Sequence, residues 1–393
     1  MNSAPVRIKD SAMYSSTVTQ FEEAPNKVEE DSEPSPLPVK EEGEQPWIWR
    51  NIIGIAILHV LAVYSFATRY HEAKLGTWIF NWKKIDFVIL PFSRNVNKGG
   101  STAGSKGNFN KEHESSDLDK RPIWGITAGL GITAGAHRLW AHRSYSAKTP
   151  LRIFLAILYC MAGMTHFHKW IRDHRTHHKF TETAADPHDA NRGFFFSHVG
   201  WLMMKRHPAV KKYGSKVDMS DIEADPVIQF FDRYYEPIMM SLTFVIPTLI
   251  PVYCWGESWY CAIHSVIIRY VWLLNATFLV NSFAHMWGNR PYNSNVKPTE
   301  NATVSFFTLG EGWHNYHHSF PWDYKAAELP GYGLNASTGF IQAMAWLGLA
   351  YDLKTPSKEL IEKVSVNKGD GTASKWGNDH HRRQREQQKV KTR

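Results

Sequence analysis

The chain has 393 residues, a formal net charge of +8 and three cysteines, none of which lies in a Cys-x-x-Cys pair. This excludes a disulfide framework and a cysteine zinc site, so any bound metal must be held by His, Asn or carboxylates. The charge indicates basic loops beside membrane helices and not nucleic-acid binding, because the basic stretches lack interleaved aromatic residues. Aromatic residues make up 13% of the chain, and the mean hydropathy is −0.38. Both values are expected for a few membrane helices that carry a large water-facing part.

In chain order, the first segment is the acidic, Pro-rich stretch 1–46, which is predicted to be disordered and cytosolic. Four apolar runs after it are long enough, or nearly so, to cross a bilayer. These predicted spans cover 51–68, 122–136, 237–255 and 259–280. With the N-terminus in the cytosol, four spans place every histidine cluster and the C-terminus on that same side.

A further apolar run at 151–165 is too short to span and is predicted to be an amphipathic or interfacial helix. Arg269 lies inside the last predicted span, where a cation is costly. It must therefore face the protein interior or mark the point at which that helix leaves the bilayer.

Two more segments are predicted to be disordered. Residues 94–121 are rich in Gly, Ser, Asn and Lys and read as a linker, inserted where the first half of the second span is expected. Residues 364–393 form a basic tail. The remaining domain therefore runs over 47–363 and is interrupted by the insert.

The histidines fall in clusters beside the apolar runs. His174, His177 and His178 have the spacing i, i+3, i+4, which places all three imidazoles on one face of a helix. The same spacing recurs at His314, His317 and His318, and Asn281 and His285 are an i, i+4 pair.

His137 and His142 are five residues apart, and an ideal α-helix would splay them by about 140°. They can serve one centre only if the helix ends or bends between them. Altogether nine His and one Asn are available, too many for one zinc ion, which takes four ligands. They suit two metals of higher coordination. Imidazole ligation fits iron, copper, zinc or nickel, and iron is the usual metal for oxygen activation on an apolar substrate.

In the motifs HRLWAH, RDHRTHH, NSFAH and HNYHH, the chain resembles the membrane-bound acyl-CoA desaturases of the stearoyl-CoA type. Longer blocks carry the same resemblance, among them GLGITAGAHRLWAHRSY and FTLGEGWHNYHHSFPWDYKAAEL, and insect members are the most similar. The resemblance implies an all-α membrane protein, with four transmembrane helices and a cytosolic helical cap that holds a di-iron histidine site. It also implies the endoplasmic reticulum membrane as the location, with multiple passes.

The activity implied by the resemblance is O2-dependent insertion of a cis double bond, at the delta-9 position, into a long-chain saturated acyl-CoA. Electrons would come from cytochrome b5, supplied by NADH-cytochrome b5 reductase. Two Fe2+ ions would be bound by the nine clustered histidines, with Asn281 reaching one iron through a water. The resemblance further implies substrate contacts at Asn51, Trp170, Arg172, Asp173, Lys205, Arg206 and Thr277.

Three departures from the family pattern lie near the substrate region. Met164 and Thr165 stand where family members carry Gln and Asn, and Phe278 replaces a Trp. His166 and His168 are not family ligands. These differences leave the chain length and the position of the double bond open.

Three alternatives to the desaturase remain. The insert at 94–121 could disable the enzyme, a related membrane hydroxylase would release an alcohol in place of an alkene, and a metal transporter would use the same histidines. A transporter would place histidines inside its spans, whereas these clusters lie at or beyond the ends of the predicted helices.

Overall fold

The computed structural model describes residues 18–22, 45–68, 72–74, 77, 124–328 and 335–373, and within these ranges the chain is mainly helical. The α-helices, α1 to α15 in chain order, are Trp49–Thr68, Trp124–Leu130, Thr149–Ala162, Phe167–Phe180, Trp201–Met203, Pro208–Gly214, Ser220–Glu223, Pro226–Arg233, Tyr235–Met240, Ile246–Trp255, Trp259–Met286, Ala302–Phe307, His314–Ser319, Ala336–Trp346 and Lys358–Lys368. Wider π-helical turns cover Gly131–Ala141, Phe196–Gly200 and Ser241–Val245, and one 3₁₀ turn covers Ala190–Arg192.

Among the described residues, four short strands form two small sheets. β1 (Val18–Phe21) runs parallel to β4 (Leu353–Pro356), and β2 (Ser146–Ala147) pairs antiparallel with β3 (Ala350–Tyr351).

Three helical segments of the described chain are long and apolar enough to cross a membrane: Trp49–Thr68, Tyr235–Trp255 and Trp259–Met286. The count rises to four if Thr149–Ala162 and Phe167–Phe180, which meet at 87°, form one bent span. Three of the four predicted spans thus correspond to candidate spans, and the last helix continues six residues beyond the predicted end at 280.

The predicted second span has a different character. Over 124–141 the chain is helical, but every residue from Ala128 to Ala141 is buried. Its Gly- and Ala-rich sequence lets neighbouring backbone approach closely, and a Cβ on Gly131 would lie 2.2 Å from the backbone of Leu158. This helix belongs to the protein core and is not among the candidate spans of the described residues. The insert at 94–121 lies outside the described residues.

The bend between α3 and α4 depends on Gly163, which adopts φ +65°, a conformation that favours glycine. The last span holds this bend in place, because Tyr270 Oη donates a hydrogen bond to the Gly163 carbonyl at 2.9 Å. Arg269 is 2% exposed and donates from Nη2 to the Thr243 carbonyl at 2.6 Å. The first of the two alternatives for Arg269, an inward-facing side chain, is therefore correct.

The predicted ends of the domain need two corrections. Val18–Phe21 lies in the segment 1–46 that is predicted to be disordered, but it forms strand β1, because an edge of β4 supplies its hydrogen-bonding partner. At the other end, α15 continues to Lys368, past the predicted limit of 363. Asp370 then accepts a hydrogen bond from the Arg290 backbone at 2.6 Å, which ties the end of the domain to the loop after the last span. Residues 1–17, 23–44 and 374–393 lie outside the described residues.

Candidate metal centre and substrate cavity

The first histidine pair is brought together by π-helical winding. The backbone N–H of His142 donates to the His137 carbonyl at 3.0 Å, an i to i−5 bond. This wider turn places a residue almost above the one five positions earlier, whereas an α-helix would splay the two. Arg175 on α4 donates to the backbone carbonyls of Trp140 and Ala141 at 2.7 and 3.0 Å, which secures the end of the turn against the helix that carries His174, His177 and His178.

The other two clusters follow the predicted helical spacing. α4 presents His174, His177 and His178 on one face, and the short helix α13 presents His314, His317 and His318. His285 reaches them from the last turn of α11, with its Nε2 atom 3.0 Å from that of His314. Four chain segments thus converge on one buried volume.

The nine histidines divide into two groups, and within each group the candidate ligand atoms all lie within 4.8 Å of one another. One group has five members: His137, His142, His174, His178 and His317. The other has four members: His177, His285, His314 and His318. Each group collects enough imidazole nitrogens around one point for one metal ion.

The ring nitrogens face one another in a way that suits a bound cation. The Nε2 atoms of His142 and His174 are 2.7 Å apart, and those of His137 and His317 are 3.0 Å apart. Nδ1 of His137 contacts Glu311, so the proton sits on Nδ1 and Nε2 presents a lone pair. Burial, together with the neighbouring histidines, lowers the pKa of His142, His314, His317 and His318 well below the ordinary value. These imidazoles are therefore neutral at neutral pH, the form that binds metals.

Two carboxylates that the sequence analysis missed orient these rings. Glu311 accepts from His137 Nδ1 at 2.7 Å and from Arg138 Nη2 at 2.6 Å. Burial alone would raise the pKa of this carboxyl, but Arg138 and His137 lower it to about 2. Asp186 accepts from His177 Nδ1 at 2.9 Å. A carboxylate behind a ligating histidine is a common arrangement, and an acidic residue close to each cluster is the only sequence signal that would have suggested either one.

A tenth histidine also reaches the centre. His188 lies in a group with His177 and Asp186. Its ring centroid is 4.4 Å from that of His177, and its buried Nδ1 atom has no hydrogen-bond partner among the described residues. The sequence analysis did not single it out, because it belongs to no helical i, i+3, i+4 pattern.

Beside the first histidine group lies a cavity of about 270 Å³. Among its lining residues are His174, His188 and Asn281 from the site, and Trp170, Asp173 and Thr277 from the predicted substrate contacts. The three departures from the family pattern, Met164, Thr165 and Phe278, line it as well. Trp170 stacks on His174 with ring centroids 5.2 Å apart, so one cavity wall continues directly into the histidine cluster. Asn281 faces this cavity, one helical turn before His285.

The other predicted substrate residues lie at or near the cavity wall. Asn51 donates to the carbonyl of Leu202, a cavity residue, at 2.7 Å. Arg206 forms a two-pronged ion pair with Asp173, in which Nη1 lies 2.6 Å from Oδ1. Lys205 is exposed, and Arg172 is half-buried. The charge of Arg206 is therefore already compensated, whereas Lys205 presents its charge to solvent.

His166 and His168 lie outside both groups, as the sequence analysis predicted. His166 Nε2 is 3.4 Å from Glu236, and His168 Nε2 is 3.5 Å from Glu223, both on the protein surface.

Comparisons with known proteins bear on this site. The profile of the fatty acid desaturase family matches residues 122–332. The chain is 45% identical to an acyl-CoA Delta-9 desaturase of Acheta domesticus over 84% of this chain and 81% of the relative. It is 52% identical to an acyl-CoA Delta(11) desaturase of Trichoplusia ni over 85% of this chain and 84% of the relative. It is 44% identical to the stearoyl-CoA desaturase of Homo sapiens over 84% of this chain and 81% of the relative.

Proposed function

The chain belongs to the fatty acid desaturase family and is an oxidoreductase of that family, and we propose that it inserts a cis double bond into a long-chain saturated acyl-CoA. The reaction takes up O2, two electrons and two protons, removes one hydrogen from each of two adjacent methylene groups and releases two waters. The observation that carries this proposal is the pair of buried histidine groups with a cavity leading to them. We propose cytochrome b5 as the electron donor, reduced by its NADH-dependent reductase.

The donor set supports two irons, bound by the nine histidines in groups of five and four. We propose that Asn281 assists the second group through a water, since it faces the cavity and lies four residues before His285. Two irons held there would supply the oxygen activation that an unactivated C–H bond requires. Burial keeps the imidazoles of His142, His314, His317 and His318 neutral, and it excludes bulk water from the site. Its apolar cavity wall orients the acyl chain.

The membrane setting follows from the candidate spans. We propose that the enzyme crosses the endoplasmic reticulum membrane several times, with both termini and the metal centre in the cytosol. The domain would start near 47 and end near 370, after an N-terminal segment that contributes strand β1. The segment 94–121 and the residues after 373 would be linker and basic tail.

Expression in a yeast strain that lacks its own desaturase tests the proposal. New monounsaturated fatty acids, located by mass spectrometry, are expected from the intact chain and from a variant that lacks 94–121. A hydroxylated product would favour the hydroxylase. Product from the shortened variant alone would show that the insert disables the enzyme. Absence of product from both, with the proteins present in membranes, would contradict the proposal.

Lys205 is proposed to bind a phosphate of coenzyme A, because it is exposed and its neighbour Arg206 is occupied by Asp173. Lys205→Met is expected to weaken acyl-CoA binding by about tenfold at low salt and by less at high salt, because salt screens the lost attraction. Equilibrium binding of a non-hydrolysable acyl-CoA at two ionic strengths measures this. Lys358→Met, at an exposed lysine on α15, is the control. Equal affinity for the Lys205 variant and wild type would refute the contact.

The position of the double bond is proposed to depend on the cavity wall at Met164 and Thr165. The similar relatives carry both Delta-9 and Delta(11) in their names, so family membership alone does not determine it. Met164→Gln with Thr165→Asn places two amides in this wall and should shift both the double-bond position and the ratio of 16- to 18-carbon products. Delta-9 is the expected position for the unaltered chain. An unchanged product profile would show that these two residues do not determine the double-bond position.

A further inference from the structure

A short strand from the N-terminal segment is attached to the far end of the chain. Val18, Thr19, Gln20 and Phe21 pair in register with Leu353, Lys354, Thr355 and Pro356. The Ser357 N–H donates to the Phe21 carbonyl at 2.6 Å, and Thr19 Oγ1 donates to Asp352 at 3.0 Å. An extended peptide that docks on an open strand edge is a general mode of recognition. Here the docked peptide belongs to the chain itself.

The two ends of β1 contact two different parts of the interior. Val18 packs against the main hydrophobic core, which includes residues of the π-helical turn Gly131–Ala141 and of α3. Phe21 packs against a second cluster made of Tyr292, Tyr316, Phe320, Trp322 and Ile361. Because Val18 and Phe21 are three residues apart, they lie on opposite faces of the strand. The strand therefore bridges both clusters.

The second hydrophobic cluster contains the back of α13, the helix that carries His314, His317 and His318. Tyr316 lies between the ligand candidates His314 and His317, and its side chain is fully buried in the cluster. Its hydroxyl donates to Asp323 Oδ2 at 2.6 Å, and Thr355 Oγ1 of β4 donates to the same oxygen at 3.3 Å. Thr355 is the register partner of Gln20. A continuous set of contacts thus leads from β1 through β4 to the helix that carries three histidines.

Helix α13 has only six residues, so its own backbone hydrogen bonds cannot hold it in shape. The packing behind it must do so. We propose that Val18–Phe21 is a strap that holds α13, with His314, His317 and His318, in position from outside. Phe21 supports the Tyr316 side of the helix, and β1 completes the edge of β4.

Hydrogen exchange on the full-length, metal-free protein in detergent tests this proposal without relying on the proposed function. In Phe21→Ala, amides of 314–320 and 353–357 are expected to exchange about tenfold faster, because part of the apolar surface behind them is lost. Amides of 167–180, on helix α4, should exchange as in wild type. Phe21→Leu should restore most of the protection, and Glu22→Ala, at an exposed position just beyond the strand, is the matched control.

Iron loss to a chelator is a second readout, which rests on the proposed function. Phe21→Ala should release iron several-fold faster than Glu22→Ala. Faster exchange throughout the protein would show that Phe21 contributes only to global stability, and unchanged exchange at 314–320 would show that no strap exists. Either result overturns the proposal. If wild type forms no product in yeast while Phe21→Ala still shows the local increase in exchange, the strap stands and the desaturase assignment fails.

Discussion

Replacing His177 with Ala is expected to abolish desaturation and to lower the bound iron from about two to about one per chain. His177 is one of only four histidines in the second group, and its Nδ1 proton is held by Asp186. The remaining three imidazoles of that group would bind the metal weakly. Product analysis in desaturase-deficient yeast and iron determination on the purified protein measure the two effects.

The control for this experiment lies on the same helix. His168 belongs to neither histidine group, and its side chain is 32% exposed. His168→Ala should therefore keep wild-type product and iron content. If His177→Ala retained product, or if both variants lost iron equally, the assignment of His177 as a ligand would be wrong.

Glu311→Gln is expected to have the second largest effect. The carboxylate lies between His137 and Arg138, both of which are buried. Loss of its charge leaves Arg138 uncompensated, which typically costs about 3–5 kcal/mol of stability. It also weakens the hold on the His137 ring, and loss of such a partner lowers metal affinity by about 10–100-fold. Thermal unfolding in detergent and iron titration of the metal-free protein measure the two losses.

Two further variants make the result for Glu311 interpretable. Glu359→Gln changes the same residue type at a fully exposed position on α15 and should alter neither measurement. Glu311→Asp keeps the charge, so it should retain more stability than Glu311→Gln. A Glu311→Gln protein with wild-type iron affinity would mean that His137 needs no carboxylate behind it.

The sequence analysis identified the nine histidines that the structure brings together, but not all of their geometry. The i, i+3, i+4 triplets were sufficient because helix periodicity places those side chains together without any other information. For His137 and His142 the α-helical period predicted divergence. The π-helical turn that brings them together depends on packing against α3 and on capping by Arg175, which comes from a distant part of the chain.

Glu311 and Asp186 are a second case in which the sequence alone was not sufficient. Both stand close to a histidine cluster in the sequence, but acidic residues near histidines are common. Only the distances to His137 Nδ1 and His177 Nδ1 separate these two carboxylates from the rest. The N-terminal strand shows it most clearly, since four residues within an acidic, Pro-rich segment have no local signal for order. Their partner, β4, lies more than 300 residues later in the chain.

By itself, the sequence determined the helical class, three of the candidate spans, the histidines that cluster and the family. Each of these depends on local periodicity, local hydrophobicity or short motifs, which act over a few residues. Only the tertiary structure decided how nine histidines divide into groups of five and four, which carboxylates orient them and which side chains line the cavity. These features arise where distant segments meet, and the free energy of such contacts depends on burial and distance in three dimensions, which no local pattern contains.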